Sequence, residues 1–200
     1  MRRRFLACTL AATALAVVPF AVHAQGKPEK PKLTIAVGGK AAFYYLPLTI
    51  AEQLGYFKEQ GLNVEILDFA GGSAALRAVV GGSADVVSGA YEHTISLQAN
   101  NQYFKAFVLQ GRAPQIAIGV STKAKYSSPA DMKGMKIGVS APGSSTNMVA
   151  NYFLSKHGMK ASDVSYIGVG TGSAAIAAIE SGQIDALSNV DPVMTMLEQR

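Results

Sequence analysis

Three short runs in this chain join glycine to hydroxyl residues: Gly71-Gly72-Ser73, Gly143-Ser144-Ser145-Thr146 and Thr171-Gly172-Ser173. Each is followed by a stretch with helical apolar spacing, so each is read as a helix start. The first amides of a helix have no partner inside it and carry part of the macrodipole. They therefore favour an anionic or strongly polar group. Glycine lets backbone come close to such a group, and hydroxyls donate hydrogen bonds without adding charge. The chemistry on offer is capture of a small polar solute. The same serines and threonines also suit ordinary helix capping.

Other candidates surround these runs. Tyr44 and Tyr45 follow the first predicted strand, where a phenol ring can stack on a flat solute or hydrogen-bond a polar one. One of the pair is equally suited to the core. Ser88, Tyr91 and Glu92 follow the third strand, and Asn189 and Asp191 hold the matching place 100 residues later. Asp191 precedes Pro192 and is also placed to cap a helix. Carboxylates at Glu92 and Asp191 would repel a simple anion, so they favour a ligand with a cationic group. Arg112, near the middle of the chain, could neutralise an acidic group or lie on the surface, and Arg77 is read as surface.

Catalytic and metal chemistry find little support. The single cysteine, Cys8, lies in the N-terminal apolar segment, so no thiolate is expected in the mature chain. His93 and His157 are far apart and outside any metal-ligand spacing. No Gly-x-Ser-x-Gly run is present to raise a serine nucleophile. The expectation is no metal, no cofactor and no enzyme activity.

The elements that must position these residues alternate in type. Strands are expected at 33–37, 62–67, 85–87 and 104–109, with helices at 46–54, 72–80 and 93–100 between them. After Gly111-Arg112-Ala113-Pro114 the pattern resumes with strands at 115–120, 136–139, 164–169 and 186–188. Helices at 146–157 and 173–180 separate them. Strand–helix alternation calls for parallel pairing and an α/β layer architecture. The 17 residues from Gly72 to Ser88 also match those from Gly172 to Ser188 at eight positions. Two copies are too few for a solenoid. They suggest two similar lobes, 32–112 and 113–200, facing each other across a hinge near Arg112.

The N-terminus sets the compartment. Arg2-Arg3-Arg4, the apolar run Phe5 to Phe20, and Ala21-Val22-His23-Ala24 form a signal peptide with cleavage after Ala24. The apolar run is shorter than the roughly 20 residues a membrane span needs. The arginines also suit a twin-arginine route. Removing this leader leaves 15 Lys+Arg against 13 Asp+Glu, so a nucleic-acid partner is not expected. Residues 25–31 form a flexible lead-in.

Two motifs resemble a known family. The run Leu46-Pro47-Leu48-Thr49-Ile50-Ala51-Glu52-Gln53-Leu54-Gly55-Tyr56-Phe57-Lys58-Glu59-Gln60-Gly61-Leu62-Asn63-Val64 resembles the signature of substrate-binding proteins of the nitrate/sulfonate/taurine type. That group shares its binding domain with thiamine-pyrimidine synthases. Asp131-Met132-Lys133-Gly134-Met135-Lys136-Ile137-Gly138-Val139 is similar to the opening of the family's second lobe, and Pro142-Gly143-Ser144 continues it. The resemblance implies an α/β type II periplasmic-binding-protein fold, with two lobes, a hinge and a ligand cleft. Family members are longer, so the C-terminal part of the fold is expected to be missing. It further implies a monomeric periplasmic protein that hands a small-molecule ligand to an ABC permease. Competing readings are a pyrimidine synthase, whose cysteine-rich motif is absent, and a non-transport ligand sensor of the same fold.

Overall fold

A computed structural model describes residues 27–199; the expected leader, residues 1–24, lies outside the described residues. The first lobe runs β1 (Lys32–Val37), a 3-10 turn at Phe43–Tyr45, α1 (Leu46–Gln53), α2 (Tyr56–Glu59), β2 (Asn63–Asp68), α3 (Gly72–Val80), β3 (Val86–Ser88) and α4 (Glu92–Ala99). Its sheet has the order β2-β1-β3 and both pairings are parallel. The central strand β1 is flanked on both sides, and its Ala36 and Val37 are completely buried. A β-branched run without polar alternation is what such a doubly covered strand requires. Pro47 sits in the first turn of α1, where its missing N–H is no loss.

The second lobe holds β4 (Ile116–Val120), β5 (Lys136–Val139), α5 (Ser145–Lys156), β6 (Ser165–Gly168), α6 (Ser173–Glu180), β7 (Ala186–Val190) and α7 (Val193–Glu198). Its strand order is β4-β7-β5-β6. Strand β5 runs parallel to β6 and β7, whereas β4 is antiparallel to β7. All five residues of β7 are buried.

The 100-residue repeat carries the same hydrogen bonds in both lobes. Gly82 and Gly182 end their helices with φ of 77° and 76°, a backbone that glycine adopts without penalty. The amides of Ser83 and Gln183 then donate to the carbonyls of Ala78 and Ala178, at 2.7 and 2.9 Å. The repeated aspartates tie each lobe's sheet together. The Asp85 carboxylate accepts the Thr34 amide of β1 at 2.9 Å, and Asp185 accepts the Lys136 amide of β5 at 2.8 Å.

One expected strand does not form. Residues 104–109 have no regular structure and pair with no strand among the described residues. Phe107, Val108 and Leu109 are 75%, 67% and 74% exposed. Apolar β-formers become a strand only where a neighbouring ladder accepts their amides and a core takes their side chains. Here neither is present.

The two lobes share packing. Val190 of β7 and Ile116 of β4 join the first-lobe core with Ile35, Val37, Tyr45 and Leu48. The remaining second-lobe core lies on both faces of its sheet, around Ile137, Val139 and Leu154 on one side and Ile176, Ile184 and Leu187 on the other.

Candidate functional site

The ends of β1, β5 and β7, and the helix starts that follow β2 and β5, meet around a narrow, half-open cleft whose cavity volume is about 40 Å³. Its wall takes Gly38, Tyr44, Tyr45, Gly72 and Gly89 from the first lobe, and Ser140, Ser144, Ser145, Thr146, Thr171 and Val190 from the second. A pocket at the carboxyl ends of parallel strands is where open α/β sheets place ligands.

The helix starts carry an unexpected division of labour. Neither α3, α5 nor α6 is capped by a side chain of its own N-cap residue. Ser144 is the N-cap of α5, yet its hydroxyl serves the other lobe. Its Oγ accepts the Ser73 amide at 2.9 Å and donates to Ser73 Oγ at 3.1 Å. Ser73 Oγ in turn donates to the Pro142 carbonyl at 2.9 Å. Ser73 and Ser144 are buried, and together they latch the lobes. With the Ser144 hydroxyl so used, the first amides of α5 have no cap. Those amides belong to Ser145 and Thr146, which line the pocket.

Close backbone approach makes the latch possible. A Cβ on Gly71 would sit 2.9 Å from Ala141 Cβ and 3.0 Å from Ser140 Oγ, both in the second lobe. A Cβ on Gly39 would fall 1.8 Å from Thr171 Oγ1. The Phe43 amide also donates to the Asp191 carbonyl across the lobes at 2.9 Å.

The tyrosines divide between two roles. The Tyr45 hydroxyl accepts the Gly38 amide at 3.0 Å, and burial pushes its pKa up to about 12. Tyr45 is a core residue whose ring edge also reaches the pocket. Tyr44 packs against it edge-on, with ring centres 5.1 Å apart, and stays half-buried in the pocket wall. The Tyr44 phenol is held above its ordinary range, first by burial and then by the nearby Glu92 charge.

The remaining expected residues lie in varied places. Thr146 is buried, and its Oγ1 accepts the Ser140 amide at 3.0 Å, fixing the loop before α5. Gly143 turns that loop with φ 79°. Ser88 Oγ donates to Gln110 Oε1 at 2.6 Å and lies outside the pocket wall. Asn189 is fully buried and satisfied, bonded to the Gly170 carbonyl and the Val190 amide. Asp191 is exposed and caps α7 by accepting the Thr195 amide and hydroxyl. Tyr91 is 66% exposed, and Gly172 and Ser173 face solvent. Arg112 is exposed as well.

Three side-chain polar atoms among the described residues are buried without a hydrogen-bond partner: Glu92 Oε1, His93 Nε2 and, in the first turn of α5, Asn147 Nδ2. Burial holds the His93 imidazole below its ordinary pKa, opposed by the Glu92 charge. Sequence reasoning passed over His93 because it weighed histidines as metal ligands. The available signal was its place one residue after Glu92, at the turn following a strand.

Residues 42–200 match the NMT1/THI5-like family model. The chain belongs to the NMT1/THI5-like family. A solved structure of a Bordetella bronchiseptica RB50 protein is 69% identical, with a TM-score of 0.84 over 85% of this chain and 54% of that one. A binding protein of Brucella abortus is 30% identical over 99% of this chain and 58% of its own length. This NMT1/THI5-like chain thus spans a little over half the length of these relatives. The alkanesulfonate-binding protein SsuA of Xanthomonas axonopodis, solved with MOPS, shares the fold at TM-score 0.63 and 22% identity, covering 86% of this chain and 58% of that one. The fold is therefore the two-lobed periplasmic-binding-protein fold that the motifs implied. A Saccharomyces cerevisiae pyrimidine phosphate synthase of the same family matches over 34% of this chain only, at 32% identity and 20% of its own length.

Proposed function

We propose that this protein is an extracytoplasmic solute-binding protein that holds a small anionic or zwitterionic molecule between its lobes for an ABC importer. The observation that carries this reading is the uncapped start of α5: Ser144 gives its hydroxyl to the other lobe, and Ser145 and Thr146 of the first turn line the pocket. First-turn amides suit a sulfonate, carboxylate or nitrate oxygen, or the polar edge of a pyrimidine. Tyr44 supplies an aromatic wall beside them. Ligand contacts to both lobes would favour the closed arrangement over an open one, and a permease would read that arrangement. The basic, apolar and small-residue pattern of the N-terminus supports a periplasmic location for this capture.

A thermal-shift screen of the full chain tests the reading, with nitrate, taurine, alkanesulfonates, pyrimidines and aromatic acids as probes. A ligand at a hundredfold excess over its dissociation constant stabilises the native state by about 2.7 kcal/mol. A shift with one class supports capture and names the cargo. A folded protein indifferent to every class removes it. The compound recovered after incubation is expected unchanged; chemical conversion would favour the synthase-like reading instead.

A further inference from the structure

The pocket wall is asymmetric in its hydrogen-bonding capacity. On the second-lobe side it offers donors: the first amides of α5 and the Thr171 hydroxyl. Behind the first-lobe side stand two polar atoms without partners, Glu92 Oε1 and His93 Nε2. His93 is 8% exposed, and its Nε2 lies 3.2 Å from where a Gly72 Cβ would be. Its Cδ2 lies 3.8 Å from the corresponding point on Gly89. Gly72 and Gly89 are both pocket-wall residues, so the imidazole packs against the wall from behind, although it does not itself line the pocket. Glu92 adjoins His93 in the first turn of α4, and its Oε1 is the other unpartnered atom there.

Buried polar atoms are normally paired, and an orphan in a native structure marks either strain or a partner yet to arrive. A carboxylate oxygen only accepts hydrogen bonds, and a neutral imidazole with its proton on Nδ1 accepts at Nε2. Burial pushes this imidazole toward its neutral form, against the pull of the Glu92 charge. The Glu92 oxygen can only accept, and His93 Nε2 accepts when the ring proton sits on Nδ1, so one donor at this corner satisfies both.

We propose that Glu92 and His93 form a donor-recognising subsite at the β3–α4 turn, which takes an amino, ammonium or amidine N–H group of the bound solute. The assignment rests on the capture reading above and narrows it. The preferred solute carries an N–H group at one end and an anionic or acceptor group at the other, which meets the α5 amides. A simple anion would fill one end of the pocket and leave both acceptors dry and unpaired, and recognition sites reject ligands that do so.

Calorimetric titration of the full chain with matched pairs tests this: taurine and ethanesulfonate, β-alanine and propanoate, 4-aminobenzoate and benzoate, 4-aminopyrimidine and pyrimidine. The amino member of at least one pair is expected to bind at least tenfold more tightly than its partner. Glu92→Gln, which keeps the shape of the side chain, is expected to abolish that preference, and His93→Leu to reduce it. Equal or tighter binding of the amino-free member in every pair that binds overturns the subsite and leaves the capture reading standing. A preference that survives both substitutions also overturns the subsite. Binding of no compound overturns the subsite together with the capture reading.

Discussion

Ser73 and Ser173 hold the same place in the internal repeat, each behind a glycine at the start of an alanine-rich helix. Ser73 is buried, bonded to Ser144 and Pro142 across the lobes. Ser173 is exposed to solvent. The helices are alike; what they face is not. The start of α3 meets the loop before α5, while the start of α6 meets water. A hydroxyl at a helix start is therefore a capacity, and the opposing lobe decides whether it becomes a latch, a cap or a surface group. The same contrast runs through the packing. Ile137 in β5 is completely buried within a continuous core, whereas its counterpart Ile35 in β1 is 9% exposed.

The packing side of this contrast gives the largest expected effect. Ile137→Ala should cost about 4 kcal/mol, and Ile35→Ala about 2 to 3 kcal/mol, since the loss grows with the cavity left behind. Denaturant unfolding of both variants measures it, and equal losses would show that the two lobes are equally well packed. The latch comes next. Gly71→Ala leaves the first lobe's own packing untouched, because the nearest atoms to its new methyl belong to Ala141 and Ser140 of the second lobe. It should wedge the lobes apart, expand the molecule in small-angle scattering and weaken binding of the best probe by about a hundredfold, or roughly 2.7 kcal/mol. Gly172→Ala, whose methyl would meet nothing within 4 Å, should change neither readout.

Removing the hydroxyls sharpens the same comparison. Ser73→Ala with Ser144→Ala should weaken probe binding by more than tenfold, because the Ser73 amide is left buried without its acceptor. Ser173→Ala should bind as the parent does, and a matching loss there would break the distinction between the two helix starts.

The smallest effect is electrostatic. Asp85 is exposed, and the hydrogen bonds from Lys30 and Thr34 lower its carboxyl pKa from 3.8 to about 2. A depressed carboxylate contributes stability above its unfolded pKa and loses it as pH falls through the folded value. The contribution should be complete above about pH 4 and fade toward pH 2. Asp85→Asn should therefore flatten the stability–pH curve in that window and leave neutral-pH probe binding unchanged. An unaltered acid limb would assign the acid response elsewhere.

Much of this architecture is legible in the chain itself. The apolar periods locate most strands and the longer helices to within a residue or two, because short elements bounded by Gly82 or Gly182 have little freedom to extend, while the short α2 and α7 gave no such period. The repeat predicts that both lobes are built alike, and the shared hydrogen bonds at Ser83 and Gln183 follow from that local sequence. Period alone misplaced residues 104–109, since a strand also needs a neighbour. The candidate site was legible as a set of helix starts but not as a division of roles. Sequence shows that Ser144 precedes a helix; only the tertiary structure makes it serve the other lobe and leaves the start of α5 uncapped. It also shows Asp191 and Asn189 beside a strand end, yet the fold turns one to cap α7 and seals the other in the interior. Chain-local signals determine which groups can donate or accept. Which of them meet, and which are left waiting as Glu92 and His93 are, depends on contacts between segments far apart in the chain, and those exist only once the lobes have packed.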